Sequence, residues 1–211
     1  MNIFLLFFPN FTARQLAQVT GKLISLSPVL GNVTRLMTTC YYMAIETRIT
    51  WAMNLCLTFI QEVLRELLFY RNNVRNINLR LLTNYSPPTV ILYYYASNVA
   101  CGAYSVEDMN NIFIRCGQKN EKSKSSTWRE MKAIEQALIT FKEVNKYKNI
   151  KWYTDNQNCV KIVRSGSLKE QLQKLTFSIF SFCLQGCIYI DIQWIPRSEN
   201  SNEDYISIYN D

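Results

Sequence analysis

Tyr85-Ser86-Pro87-Pro88-Thr89-Val90-Ile91-Leu92-Tyr93-Tyr94-Tyr95 changes the character of the chain within a few residues. Two consecutive prolines cannot continue a helix, because each fixes φ and lacks an amide donor. The residues after them are β-branched, aliphatic or aromatic without interruption, which is how a strand buried on both faces reads. Upstream of this break the apolar spacing is helical; downstream, strands alternate with helices. The expected division is a helical segment over 1–85 and an α/β domain over 86–211.

Working downstream, Ala100 to Val106 and Ile112 to Cys116 flank a polar stretch at 107–111 and predict a hairpin. A helix is expected from Thr127, with Met131, Ile134, Leu138 and Phe141 on one face. Ile150 to Thr154 reads as a strand, Gln157 to Arg164 as a short helix and Leu168 to Gln185 as a longer one. Ile188, Ile190, Ile192 and Trp194 alternate with polar partners in a last strand, and a final helix is expected from about Asn200. Upstream, Thr12 and Gln15 have the spacing of a capping box, followed by Leu16, Val19 and Leu23 until Ser27-Pro28. Leu36, Cys40 and Met43 form a second periodic stretch. A third, from Gln61 to Leu82, carries Val63, Leu64, Leu67 and Leu68 on its apolar side. Arg65, Arg71, Arg75 and Arg80 lie elsewhere on it, forming either a solvated face or a phosphate-contacting surface.

The 211 residues suffice for a proper core. With 48% hydrophobic and 18% charged residues, the chain is excluded from the disordered class. A mean hydropathy of -0.09 and the lack of any apolar run near ~20 residues exclude a membrane-spanning helix. Histidine is absent. That removes imidazole bases, His-containing triads and the usual zinc sites, so hydrolysis would have to run on carboxylates, thiols or hydroxyls. The net charge of +7 and pI near 9.0 suit a polyanionic partner, nucleic acid first. Seven cysteines without a C-x-x-C pair read as free thiols in a reducing compartment. Cys183 and Cys187 fall i, i+4 on a predicted helix. The apolar start, Met1 to Phe8, has no basic residue before it and no small-residue cleavage site. An intracellular location, cytoplasmic or nuclear, is the expectation.

Three acidic residues fall where these elements would aim them at a common point. Glu130 shares the edge of the inward face of its helix with Ile134, Ala137 and Phe141. Asp155 ends a strand, and the crevice beyond strand carboxyl ends is where α/β sheets bind ligands. Asp204 follows the last strand, in the first turn of the expected final helix. Carboxylates clustered without histidine are what Mg²⁺ requires, and paired divalent ions serve phosphodiester cleavage. Each residue also has a plainer role open to it. Glu130 would close a capping box with Thr127, Asp155 would cap the following helix, and Asp204 would complement a helix dipole.

Four motifs, in order, resemble those of retroelement ribonuclease H domains. Tyr93-Tyr94-Tyr95-Ala96-Ser97 with Cys101-Gly102-Ala103-Tyr104 is similar to S-D-A-S…G-x-G-A. Thr127-Trp128-Arg129-Glu130 resembles N/T-x-x-E, and Tyr153-Thr154-Asp155-Asn156 resembles T-D-N. Trp194-Ile195-Pro196-Arg197 with Asn200 to Ser207 resembles W-I-P-x…N-x-x-A-D-x-[LI]-S. Arg14-Gln15-Leu16-Ala17…Gly21-Lys22-Leu23 and Glu66 to Tyr70 look like the thumb and connection helices that follow a polymerase palm. The combination is most similar to tyrosine-recombinase retrotransposons of the DIRS group, with Ty3-like elements second.

The resemblance implies a ribonuclease H-like mixed five-stranded sheet with flanking helices, preceded by a small helical segment. It implies an RNA·DNA hybrid as partner and two Mg²⁺ (or Mn²⁺) ions held by four carboxylates. Carried over residue by residue, Glu130, Asp155 and Asp204 match the second, third and fourth acids as metal and catalytic ligands. Arg65, Arg71, Arg75, Asn156 and Arg197 are the expected nucleic-acid contacts. The first acid is lost: Tyr95 stands where the family has Asp. A phenol with a pKa near ~10 is neutral at pH 7 and offers no bidentate anionic oxygen. The expected activity is therefore an impaired ribonuclease H, or else an inactive nucleic-acid-binding remnant of a retrotransposon polyprotein.

Overall fold

The computed structural model describes residues 11–55, 60–77, 88–96, 100–106, 112–116 and 121–200. The chain divides into two compact units, Met1–Asn84 with Ser165–Leu168, and Tyr85–Arg164 with Lys169–Asp211. No helix among the described residues is long and apolar enough to cross a membrane.

In the first unit, α1 (Ala13–Ser25) opens on a capping box. Gln15 N–H donates to Thr12 Oγ1 and the Gln15 side chain accepts from Thr12 N–H at 2.9 Å. Two single-turn helices follow, α2 (Ser27–Leu30) and α3 (Val33–Leu36). α1 ends at Ser25, ahead of Ser27-Pro28 as the spacing predicts, and Pro28 then sits in the first turn of α2, where no proline amide donor is needed. Next come α4 (Thr39–Glu46) and α5 (Ile60–Ile77). Ala13, Leu16, Cys40, Tyr41, Ala44, Ile45, Val63 and Leu67 meet in one apolar cluster.

A carboxylate is sunk beside that cluster. Glu66 is 1% exposed and accepts the Cys40 N–H at 3.1 and 3.3 Å. It thereby takes up a donor left over at the start of α4, where the helix dipole favours negative charge. Burial first, and the Glu66 charge second, push the Cys40 thiol and the Tyr41 and Tyr70 phenols well above their ordinary ranges.

The second unit is a five-stranded sheet of order β3-β2-β1-β4-β5. Its strands are β1 (Val90–Ala96), β2 (Ala100–Ser105), β3 (Ile112–Cys116), β4 (Asn149–Thr154) and β5 (Tyr189–Trp194). The hairpin pairs are antiparallel, while β1 with β4 and β4 with β5 are parallel. The helices are α6 (Ser126–Thr140), α7 (Lys142–Asn145), α8 (Gln157–Ser165) and α9 (Glu170–Gln185). This is the mixed five-stranded sheet with flanking helices that the resemblance implies. A polar 3₁₀ turn at Arg197–Glu199 follows β5.

One face of the sheet is fully buried. Val90, Leu92, Ala103, Ile150, Trp152 and Ile192 pack with Met131, Ile134 and Leu138 of α6 and with Leu175 and Ile179 of α9. β1 is central as its apolar run predicts, but it is not equally buried on both sides. On its second face Tyr93 is part-exposed, stacked at 5.4 Å on Tyr104 and at 5.1 Å on Tyr153. Loss of water around this row, and then the Tyr153 phenol, raise the Tyr93 pKa, with Lys151 acting against them.

Cys183 and Cys187 do not share a helix turn, because α9 ends at Gln185. Cys187 sits beyond it with φ 52°. Cys187 N–H donates to Leu184 O at 3.3 Å and Ile188 N–H to Cys183 O at 2.7 Å. These bonds make a Schellman ending with cysteine where glycine is usual.

Candidate active site

The site is built at the carboxyl ends of parallel strands β1 and β4. Tyr93 is level with Tyr153, so Tyr95, near the end of β1, and Asp155, just past β4, come to the same edge of the sheet. Two hydrogen bonds tie the end of β5 to this edge. Ile195 N–H donates to Thr154 O at 2.9 Å, and the Trp194 indole N–H to the Asp155 carbonyl at 3.0 Å.

Glu130 arrives from α6. The helix starts one residue earlier than expected, at Ser126, and its cap is Ser125, whose hydroxyl accepts from Trp128 N–H at 3.2 Å. Thr127 lies inside the helix, so it does not form the capping box that would have occupied Glu130. Instead Glu130 Oε1 accepts from Asn156 Nδ2 at 2.9 Å, and Oε2 lies 3.5 Å from Thr154 Oγ1 and 3.8 Å from Cys159 Sγ. Thr154 and Cys159 are both fully buried, so the carboxylate is fixed from its buried side.

The cap of α8 falls to the neighbour of Asp155. Asn156 Oδ1 accepts from Asn158 N–H at 2.9 Å and from Cys159 N–H at 3.4 Å, and its own N–H donates to Thr154 Oγ1 at 3.0 Å. An oxygen already used by two amides fixes which way the carboxamide points, leaving the NH₂ for Glu130. Asp155, partly buried, is left free of the capping duty that sequence spacing offered it.

The structure therefore brings Glu130 and Asp155–Asn156 together, with the Tyr95 backbone on the same edge. Asp204 and the Tyr95 side chain lie outside the described residues. Among the described residues no three His, Cys, Asp or Glu side chains form a metal-sized group. Arg197 is exposed in the turn after β5. Arg71 and Arg75 are exposed on α5 of the other unit, and Arg65 there is partly buried. The sequence reading missed Ser125, Thr154, Cys159 and Trp194 as supports of the site. The hydroxyl of Thr154, directly before Asp155, was the one available signal.

No family model and no curated protein matches this chain. Among solved structures, ribonuclease H1 from the halophilic archaeon Halobacterium salinarum NRC-1 is similar over 56% of this chain and 92% of that one, with 18% identity and a TM-score of 0.45.

Proposed function

We propose that residues 86–211 are a retroelement-derived ribonuclease H-like domain, following a thumb- and connection-like segment over 1–85. By descent it is an endonuclease for the RNA strand of RNA·DNA hybrids, impaired here because Tyr95 replaces the first acid. The observation that supports this best is the 2.9 Å bond from Asn156 to Glu130. It holds a carboxylate of α6 against the residue that follows Asp155, which plain capping roles for either acid would not do.

Glu130 and Asp155, with Asp204, supply hard oxygen donors of the kind that suit Mg²⁺ or Mn²⁺. Two such ions, when bound, polarise a water and stabilise the leaving oxygen. In the reaction a water oxygen bonds to phosphorus, the bond from phosphorus to the 3′ oxygen breaks, and that oxygen takes a proton. Asn156, Thr154 and Cys159 keep Glu130 oriented. The exposed Arg197, and Arg65, Arg71 and Arg75 on α5, hold the hybrid's phosphates. Tyr95 withholds one anionic ligand, so metal affinity falls. For that reason the second reading, a nucleic-acid-binding remnant without turnover, is kept.

The test is cleavage of an end-labelled RNA·DNA hybrid in Mg²⁺ and in Mn²⁺ by the natural chain, by Tyr95→Asp and by Tyr95→Asp with Asp155→Asn. We expect cutting by Tyr95→Asp alone. Equal cutting by the natural chain would overturn the disabling role of Tyr95. No cutting by any chain would leave only the binding remnant.

A further inference from the structure

Helix α1 places Arg14, Ala17 and Gln18 on one face at i, i+3 and i+4 spacing. The segment from Trp51 to Leu55 is stapled to the start of this helix by backbone hydrogen bonds. Ala13 N–H donates to Met53 O at 3.0 Å, Arg14 N–H to Trp51 O at 3.1 Å and Leu55 N–H to Phe11 O at 2.9 Å. The staple seats Trp51 beside the Arg14 face. Together Arg14, Ala17, Gln18 and Trp51 line an open pocket of about 410 Å³.

Trp51 is 44% exposed, leaving part of a large aromatic ring in water. It is backed by Arg48, whose guanidinium carbon lies 4.0 Å from the ring centroid. Arg48 is itself anchored, its Nη1 donating to Ile45 O at 2.9 Å. Arg48 is not among the residues lining the pocket, so the ring surface offered there is what the guanidinium leaves uncovered. Neither Arg14 nor Arg48 has an acidic partner among the described residues, and the Gln18 carboxamide makes no side-chain hydrogen bond among them. The surrounding 1–84 segment carries eight Lys or Arg against three Glu and no Asp. A bare surface cation–π pair accounts for Arg48 on Trp51. The exposed Arg14 and Gln18 add a second cation and a carboxamide to the pocket that the same ring lines.

We propose that Arg14, Gln18, Trp51 and Arg48 form a binding site for an unpaired base of single-stranded nucleic acid. The base stacks on the indole, its edge meets the Gln18 carboxamide, which both donates and accepts, and the two guanidiniums take the flanking phosphates. Stacking of this kind tolerates any base, so the site is selective for single strands rather than for sequence. It uses none of the acids of the candidate active site and stands whether or not that site turns over.

The experiment is fluorescence anisotropy of labelled twelve-residue oligothymidylate, and of an abasic strand of equal length, with the full chain in EDTA. Trp51→Ala should weaken oligothymidylate binding roughly 5- to 150-fold, the range expected for losing one base–aromatic stack, and leave the abasic strand unaffected. Trp51→Phe should restore most of the loss, and circular dichroism reports whether each variant is folded. Arg14→Ala should lower the slope of log affinity against log salt by about one. Equal affinity for the two strands, with sensitivity only at Arg14, would mean a simple polyanion patch and overturn the proposal, as would unchanged binding by Trp51→Ala. Metal-free single-strand binding and metal-dependent hybrid cleavage are separate readouts, so the failure of one reading is distinguishable from the failure of the other.

Discussion

Asn156 spends one side chain on two neighbours, capping α8 with its oxygen and holding Glu130 with its nitrogen. Asn156→Ala should cost on the order of 2 kcal/mol, about half from the lost cap and half from the lost bond to Glu130. Asn156→Asp keeps the cap but sets a second carboxylate against Glu130. Like charges raise a folded-state carboxylate pKa above its unfolded value. Stability is then complete below that unfolded value and lost as pH rises through the raised one. Urea unfolding of Asn156→Asp should therefore show a larger deficit at pH 7 than at pH 4; an equal deficit at both would contradict the contact. The buried group around Glu66 obeys the same rule further up the scale. Cys40, with an ordinary value of 9.0, and Tyr41 and Tyr70, with 10.0, are all raised in the folded chain. Their contribution to stability is intact below pH 9 and should fall as pH climbs beyond it. An unfolding midpoint flat from pH 8 to 11 would rule out their protonated burial.

Among the elements, α9 stops on a cysteine in the left-handed region, at φ 52°. That conformation is costly for any residue with a Cβ, so Cys187→Gly should stabilise the chain by about 1 kcal/mol, read as a rise in thermal midpoint. Nothing in the sequence announced it, since Gly186 stands one position early and the eye takes it for the terminator. Strands were the legible part. The apolar run at Thr89 to Tyr95 and the alternation at Ile188 to Trp194 carry their periods openly, and the observed strands fall on them. Helix starts were less so, because Ser125, Ser126 and Thr127 all suit a cap position, and the structure uses Ser125. For the candidate site, spacing picked out Glu130 and Asp155 yet could not tell an acid spent on capping from one turned toward the sheet edge. That distinction rests on a contact 26 residues apart, Asn156 to Glu130, which no local pattern encodes.

At the scale of the whole molecule, the surplus of +7 should make hybrid binding weaken steeply with salt, by roughly 0.9 in log affinity per log salt for each phosphate neutralised. Replacing the exposed pair Arg71 and Arg75 by Ala should flatten that slope by about two; an unchanged slope would remove α5 from the contact surface. The sheet itself joins two kinds of pairing, a local hairpin and a long-range parallel seam whose edge residues Thr89 and Asn149 are 60 positions apart. The stacked row Tyr104–Tyr93–Tyr153 crosses both. Closing a short loop costs less entropy than closing a long one. The tyrosine row thus joins a cheap loop closure to a costlier one, its Tyr93–Tyr104 contact bearing the smaller entropic cost and its Tyr93–Tyr153 contact tying the hairpin to the far strand.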